Sequence, residues 1–428
     1  MIPKYECPAT SAIKTVICGG ANLDSFGRLR VSNPETLFDA KNIFDDPDLA
    51  ASVENQPLLF DNQETSGSGT STAYDNDEAK QTLTVSATTA GTRVRQTRQR
   101  FNYQPGKSML VFMSFKMHAT TSGITQREGM FDESNGLFVE DNGTGYRFVR
   151  RTYTSGAAVD NAVEQSSWSL DALDGSGNSG YTLDLTKTNI LAIDYEWLGV
   201  GRVRMGFVID GEIIYAHEFL NANSLSVVYM STPNLPLRSE ISNDGTGAAA
   251  TITQICSTVI SEGAQNDLGI IRWASTAGTH IDMATENQLY ALMGIKLKSA
   301  YIGEVVDILS VAMQLHTASH KVEWSLVYDP TITGTFTYAD VSRSAVQVAK
   351  SAGAGATASG GYAIEGGYVE SGGNPSGASG STAAEIGNAL RIGSNIAGTP
   401  DAIVLCARPI AGSSAVDIEC GMTWRELT

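Results

Sequence analysis

The sequence predicts an all-β protein: a jelly-roll β-sandwich followed by a second β-rich domain, with an extended N-terminal arm. Three observations point there. First, β-branched and aromatic runs recur with a period of two, as in Thr182 to Leu185, Val203 to Ile209 and Ile213 to Phe219. Second, Gly, Asn and Asp punctuate these runs about every ten residues, the rhythm of a sandwich or barrel. Third, helical periodicity is scarce. Its best stretch, Thr285 to Lys298, offers Leu289, Leu292, Met293 and Leu297 at helix-like spacing, but Gly294 costs it about 1 kcal/mol. One short helix is expected there, or none.

In chain order, residues 1 to 35 carry Pro3, Pro8, Gly19-Gly20 and Pro34 without a periodic apolar face, and read as a docking arm that orders against a neighbouring subunit. Residues 36 to 265 are strand-rich and form the sandwich. Inside it, Asp210-Gly211 lies between two apolar runs, and this dipeptide readily takes the two positive φ values of a type I′ turn, so residues 203 to 219 form a hairpin. Residues 266 to 428 form the second domain. Within it, about 351 to 381 is rich in Gly, Ala and Ser but interrupted by Tyr362, Ile364, Tyr368 and Val369, which predicts an extended loop carrying a small hairpin.

Composition narrows the function classes. The 428 residues are 42% hydrophobic and 18% charged with 28 Phe and Tyr available for packing, which argues against a disordered chain. The net charge of −17 disfavours sequence-independent binding to nucleic acid or anionic lipid. No apolar run is long enough to span a membrane, and nothing near the N-terminus reads as a secretory signal. The five cysteines, Cys7, Cys18, Cys256, Cys406 and Cys420, are odd in number and far apart. That pattern predicts buried reduced thiols and folding in a reducing cytoplasm.

Each chemistry-bearing motif also has a plainer role. Gly199-Val-Gly201 to Gly206 lacks the spacing and the following helix of a phosphate loop, so its glycines serve a tight turn, and no cofactor is expected. Asp174, Ser176 and Asn178 stand at alternate positions like Ca²⁺ ligands, but Leu185 occupies the place of the bidentate Glu; a loop capping its own backbone is favoured. His316 and His320 are four apart but lie in strand-like surroundings with no third ligand indicated, and His217 and His280 stand isolated. Asp194 and Glu196 share a strand face beside Trp197, and are expected to pair with Arg202 and Arg204 rather than to act as a glycosidase pair. With no nucleophile beside a base, no catalytic residue is assigned and a non-enzyme is expected. Arg93, Arg95, Arg98 and Arg100 form a basic cluster suited either to a partner surface or to pairing within the chain.

Four blocks carry a resemblance: Asp24 to Asp39, Arg100 to Ser108, Ile193 to Tyr215, and Ile255 to Gly263. Across about residues 22 to 265 they resemble a family of virion structural proteins of tailed bacteriophages and large DNA viruses. The hairpin preceded by Asn189 to Asp194 is also similar to the concanavalin-like or laminin-G-like jelly roll. The resemblance implies a component of a virus particle whose partners are other virion proteins and copies of itself. A tail or adsorption position is expected in preference to head decoration. The alternatives are a carbohydrate-binding module that contacts host surface glycan and a virion-borne polysaccharide hydrolase.

Overall fold

The computed structural model describes residues 22–23, 29–30, 34–42, 58–263, 268–317, 319–371, 391–410, 412–413 and 415–427. The expected arm, apart from a two-residue pairing of Asn22–Leu23 with Leu29–Arg30, therefore lies outside the described residues.

The first unit is a jelly-roll sandwich of two antiparallel sheets. One sheet runs, edge to edge, through Glu212–Phe219, Val203–Ile209, Asn189–Tyr195, Met109–Lys116, Ala250–Ser261, Lys80–Val85 and Thr70–Asp75, with Glu35–Lys41 also pairing with Ala250–Ser261. It has eight strands. The other has seven: Val159–Glu164, Tyr146–Thr152, Gly136–Asp141, Ile124–Phe131, Leu237–Asn243, Gly91–Thr97 and Phe60–Gly67. Alternate residues turn inward, as the period of two dictates. Leu83, Val111, Phe115, Leu191, Ile193 and Phe207 from the first sheet meet Met130, Leu137, Val139, Phe148, Leu237 and Ile241 from the second in one buried core.

The hairpin forms as expected. Asp210 and Gly211 have φ of 53° and 85°, the two positive values of a type I′ turn. A bulge between Met205 and Gly206 shifts the register of its strands, and at Gly206 a β-carbon would lie 2.0 Å from the carbonyl oxygen of Ile214, so only glycine fits.

The second unit is also a sandwich, of a five-stranded and an eight-stranded sheet. Ile418, Met422 and Trp424 of Val416–Leu427 pack against Trp324, Leu326 and Leu405 between them. The short helix allowed for at Thr285 to Lys298 is corrected to a central strand, Tyr290–Leu297. Leu292, Met293, Ile295 and Leu297 enter the main core and Ala291 a smaller one. A strand buried on both faces is apolar throughout, and a short stretch of it mimics helical spacing. In the Gly/Ala/Ser-rich segment, Thr357–Ser359 and Tyr362–Glu370 pair with Thr331–Thr333 and Lys321–Tyr328 respectively, instead of with each other as the expected hairpin requires. Residues 372–390 lie outside the described residues.

The two sandwiches touch. Ile396 donates its backbone N–H to Asp61 Oδ2 at 2.7 Å, and Ser394 donates to the Arg98 carbonyl at 3.0 Å. Among the described residues, helical geometry is confined to two three-residue 3₁₀ turns, and no helix is long and apolar enough to cross a membrane. Burial pushes the thiols of Cys406 and Cys420 up to about 12, so both stay as unreactive thiols.

Candidate functional site

The two outer faces of the first sandwich differ in kind. On the seven-stranded sheet, cross-strand register lines up Glu164, Arg147, Glu140, Arg127 and Glu240 in a row of alternating charge. Arg127 binds Glu140 at 2.5 Å and also bonds Glu240, while Arg147 bonds Glu140 from the other side. Beneath them lie Phe131, Phe138 and Val149, and the guanidinium groups of Arg127, Arg151 and Arg238 cover these rings at 5.1 to 5.8 Å. Burial would raise Glu240, but Arg238 and Arg127 outweigh it and hold its carboxyl below the usual range. This face is closed by its own ion pairs.

The eight-stranded sheet presents an open groove. Its outward side chains fall into rows, two of which cross six strands. The middle row is Tyr215, Gly206, Ala192, Phe112, Thr258 and Asp39. Beside it run Ile213, Val208, Ile190, Ser114, Cys256 and Lys41. On the other side lie Arg204, Asp194 and Leu110. A groove of about 440 Å³ is lined by Phe112, Ile190, Val208, Cys256, Asp39 and Lys41, and a second of about 430 Å³ continues it past Ser114 to Asn189 and Asp210. Gly206 and Ala192 lie between Tyr215 and Phe112 in the middle row, and Ala192 is fully buried. Ile190 stays 38% exposed, which is unusual for an Ile in a central strand.

At the groove's side, Asp194 bonds Arg204 and accepts the Tyr215 hydroxyl proton at 3.1 Å, while the Arg204 guanidinium sits 4.1 Å from the Tyr215 ring centroid. Burial and the Asp194 charge push the Tyr215 hydroxyl up, so it remains a neutral donor. Glu262 stands nearby, and burial followed by repulsion from Asp194 raises its carboxyl.

The pairing expected for Asp194 with Arg204 is present, but that for Glu196 is not. Glu196 lies one residue past the strand, its N–H donates to the Arg202 carbonyl at 3.1 Å, and Arg202 reaches Glu218 at 3.9 Å. The loop oxygens expected to cap their own backbone do so: Asp174 Oδ1 accepts from the Ser176 N–H at 2.9 Å and from its hydroxyl at 2.6 Å. The nearby Asp171 accepts the N–H of Ser179 at 2.8 Å, leaving Asn178 within that turn. The four arginines are spread over separate sites. Arg93 bonds the Thr72 hydroxyl; Arg95 is buried, 4.0 Å from the Phe60 ring centroid and 3.2 Å from Gln254; Arg98 meets Asp401 at 3.0 Å; Arg100 meets Asp132 at 2.6 Å.

Sequence reasoning missed Phe112, Ile190 and Val208. A signal for them is present: Met109 to Phe115 and Asn189 to Tyr195 are apolar on both faces, although only one face enters the core.

No protein-family model matches the sequence, and no curated protein matches it. Solved structures of similar sandwich architecture include a glycoside hydrolase family protein from Mycobacterium thermorestibile, with 13% identity, a TM-score of 0.36 and coverage of 52% of this chain and 99% of that chain. A glycoside hydrolase family 16 protein from Mycobacterium smegmatis has 9% identity and a TM-score of 0.36, covering 53% and 100%. The carbohydrate recognition domain of Emp47p has 9% identity and a TM-score of 0.32, covering 54% and 97%. The expectation of a non-enzyme is corrected: it rested on missing sequence motifs, which do not exclude catalysis on a sandwich scaffold, and glycoside hydrolases stand among the similar structures.

Proposed function

We propose that the first sandwich binds glycan chains in the groove of its eight-stranded sheet. The observation that carries this reading is the groove floor of Phe112, Ile190 and Val208, an apolar surface with one aromatic ring, edged by Asp39, Lys41, Ser114 and Asp210. A pyranose offers an apolar C–H face and a rim of hydroxyls, which such a surface complements by packing at the centre and hydrogen bonding at the edge. A glycan array probed with the purified chain tests it. Phe112→Ala and Val208→Asp should abolish retention on whichever glycans wild type retains; equal retention by both variants would end the reading. Sizing of the bound glycan after incubation reports whether binding is accompanied by cleavage.

A second reading, membership of a virus particle and there of its adsorption apparatus, rests on the sequence resemblance, whose blocks are neighbours in the fold. The Tyr103 ring lies 6.1 Å from both Tyr195 and Trp197, and Phe38 lies 5.1 Å from Phe101, so three of the blocks pack on one another and the fourth pairs with the first. Immunogold labelling of intact particles tests it. Label on tail tips would favour glycan attachment by the particle, label on heads would favour decoration, and unlabelled particles would remove the reading.

A further inference from the structure

Five histidines are scattered through the sequence, and no spacing among them suggests a metal site. The fold of the second sandwich brings two together. Ile281–Met283 and Val305–Leu315 both pair with Val416–Leu427, on opposite sides of it, and the register sets Ile281 and Leu315 both opposite Ile418. Those three residues face the core. Their neighbours His280, His316 and Glu419 therefore emerge together on the outer face, where period-two alternation puts them. His320, four residues from His316, is not part of this cluster, and its backbone N–H donates to the Ser371 hydroxyl at 2.9 Å.

The three side chains converge at distances that suit ligands of one ion. His280 Nδ1 and His316 Nε2 each lie 3.3 Å from Glu419 Oε1, and the three atoms lie within 4.8 Å of one another. In a tetrahedral zinc site with bonds of about 2.0 to 2.1 Å, the edges between ligand atoms are about 3.3 to 3.4 Å. Two edges already have that length. His316 Nε2 is shielded from solvent and makes no hydrogen bond of good geometry, with Glu419 Oε1 beside it at 3.3 Å. The imidazole rings are 4.3 Å apart at 65°, so neither stacks on the other in a way that would occupy its nitrogen. Asp282 and Asp417, paired across the adjoining strands on the same face, add negative charge beside the site.

We propose that His280, His316 and Glu419 bind one divalent transition-metal ion of the zinc class, leaving a coordination position open to solvent. Two imidazoles with one carboxylate suit zinc far better than calcium, which prefers six to eight oxygens. The side chains are 49%, 32% and 25% exposed, so an ion can enter without the sheet opening.

The test uses the full chain stripped with EDTA and titrated with zinc chloride, followed by gel filtration and elemental analysis. One equivalent should stay with wild type. Cobalt(II) in its place should give the intense visible absorption of tetrahedral coordination. His280→Ala, at an exposed position that should fold normally, and Glu419→Gln should each weaken binding at least about tenfold, and His320→Ala should leave it unchanged. Zinc should also raise the melting temperature of wild type but not of His280→Ala. The proposal is overturned by no retained zinc, by an octahedral cobalt spectrum, or by His320→Ala losing the ion as fully as His280→Ala.

Discussion

Arg98 donates to Asp401 at 3.0 Å across 303 residues of sequence, and this ion pair ties the first sandwich to the second. Asp401 is 3% exposed, and burial, the largest influence, pushes its carboxyl up to about 6 against the pull of Tyr328 and Arg98. The folded chain therefore holds a proton that an unfolded aspartate, at about 3.9, has lost. Between about pH 4 and 6 the folded state binds more protons than the unfolded, so this group's contribution to stability is present below pH 4 and falls away as pH rises through 6. The loss is about 2 kcal/mol over that window. Asp401→Asn should gain that amount relative to wild type when denaturation at pH 4 is compared with pH 7.5; a difference that does not vary with pH would show the site is misread.

Glu128 provides a second titration, inside the first core. It is fully buried, neither carboxylate oxygen has a hydrogen bond of good geometry, and burial raises its pKa well above the ordinary value against the weaker pull of the nearby Ser239 hydroxyl and the Arg95 charge. A carboxyl kept neutral by its surroundings is close in shape to an amide. Glu128→Gln should match wild type in acid and become more stable than wild type, by roughly 1 to 3 kcal/mol, as pH rises and the native carboxyl is forced towards ionisation. Urea denaturation at pH 5 and pH 9 checks this, and a variant destabilised at both would contradict it.

Arg127 is the common partner of Glu140 and Glu240, both nearly inaccessible to solvent. Burial would lower its guanidinium, yet the two carboxylates outweigh it and push it up. Arg127→Met should leave Glu140 to Arg147 alone and Glu240 to Arg238 alone, and cost at most about 3 to 5 kcal/mol. Adding Glu140→Gln and Glu240→Gln should recover most of that loss, because the ions rather than the packing are at fault. A triple variant no more stable than Arg127→Met would show otherwise.

At the hairpin turn, Gly211 has φ of 85° and open space where a β-carbon would go. Gly211→Val therefore meets no clash but must take a backbone conformation that β-branched residues resist, at about 1 to 3 kcal/mol. Gly211→Asn should cost distinctly less, since Asn tolerates positive φ. Equal melting temperatures for the two variants would mean the turn had changed type.

The sequence by itself determined the all-β class, the Asp210-Gly211 hairpin, the self-capping of Asp174 and the pairing of Asp194 with Arg204. Each depends on neighbours a few residues apart or on adjacent strands of one hairpin, where alternation and turn chemistry act directly. Only the tertiary structure decided that Tyr290–Leu297 is a strand, because a segment buried on both faces loses its alternation. Only it sorted Arg95 into the core and Arg98 to the joint between sandwiches. It alone placed Phe112 beside Ala192 and Gly206, and His280 and His316 beside Glu419. These neighbours come from strands whose pairing partner and register are set by closing a whole core, and a shift of one residue would turn every such side chain to the opposite face.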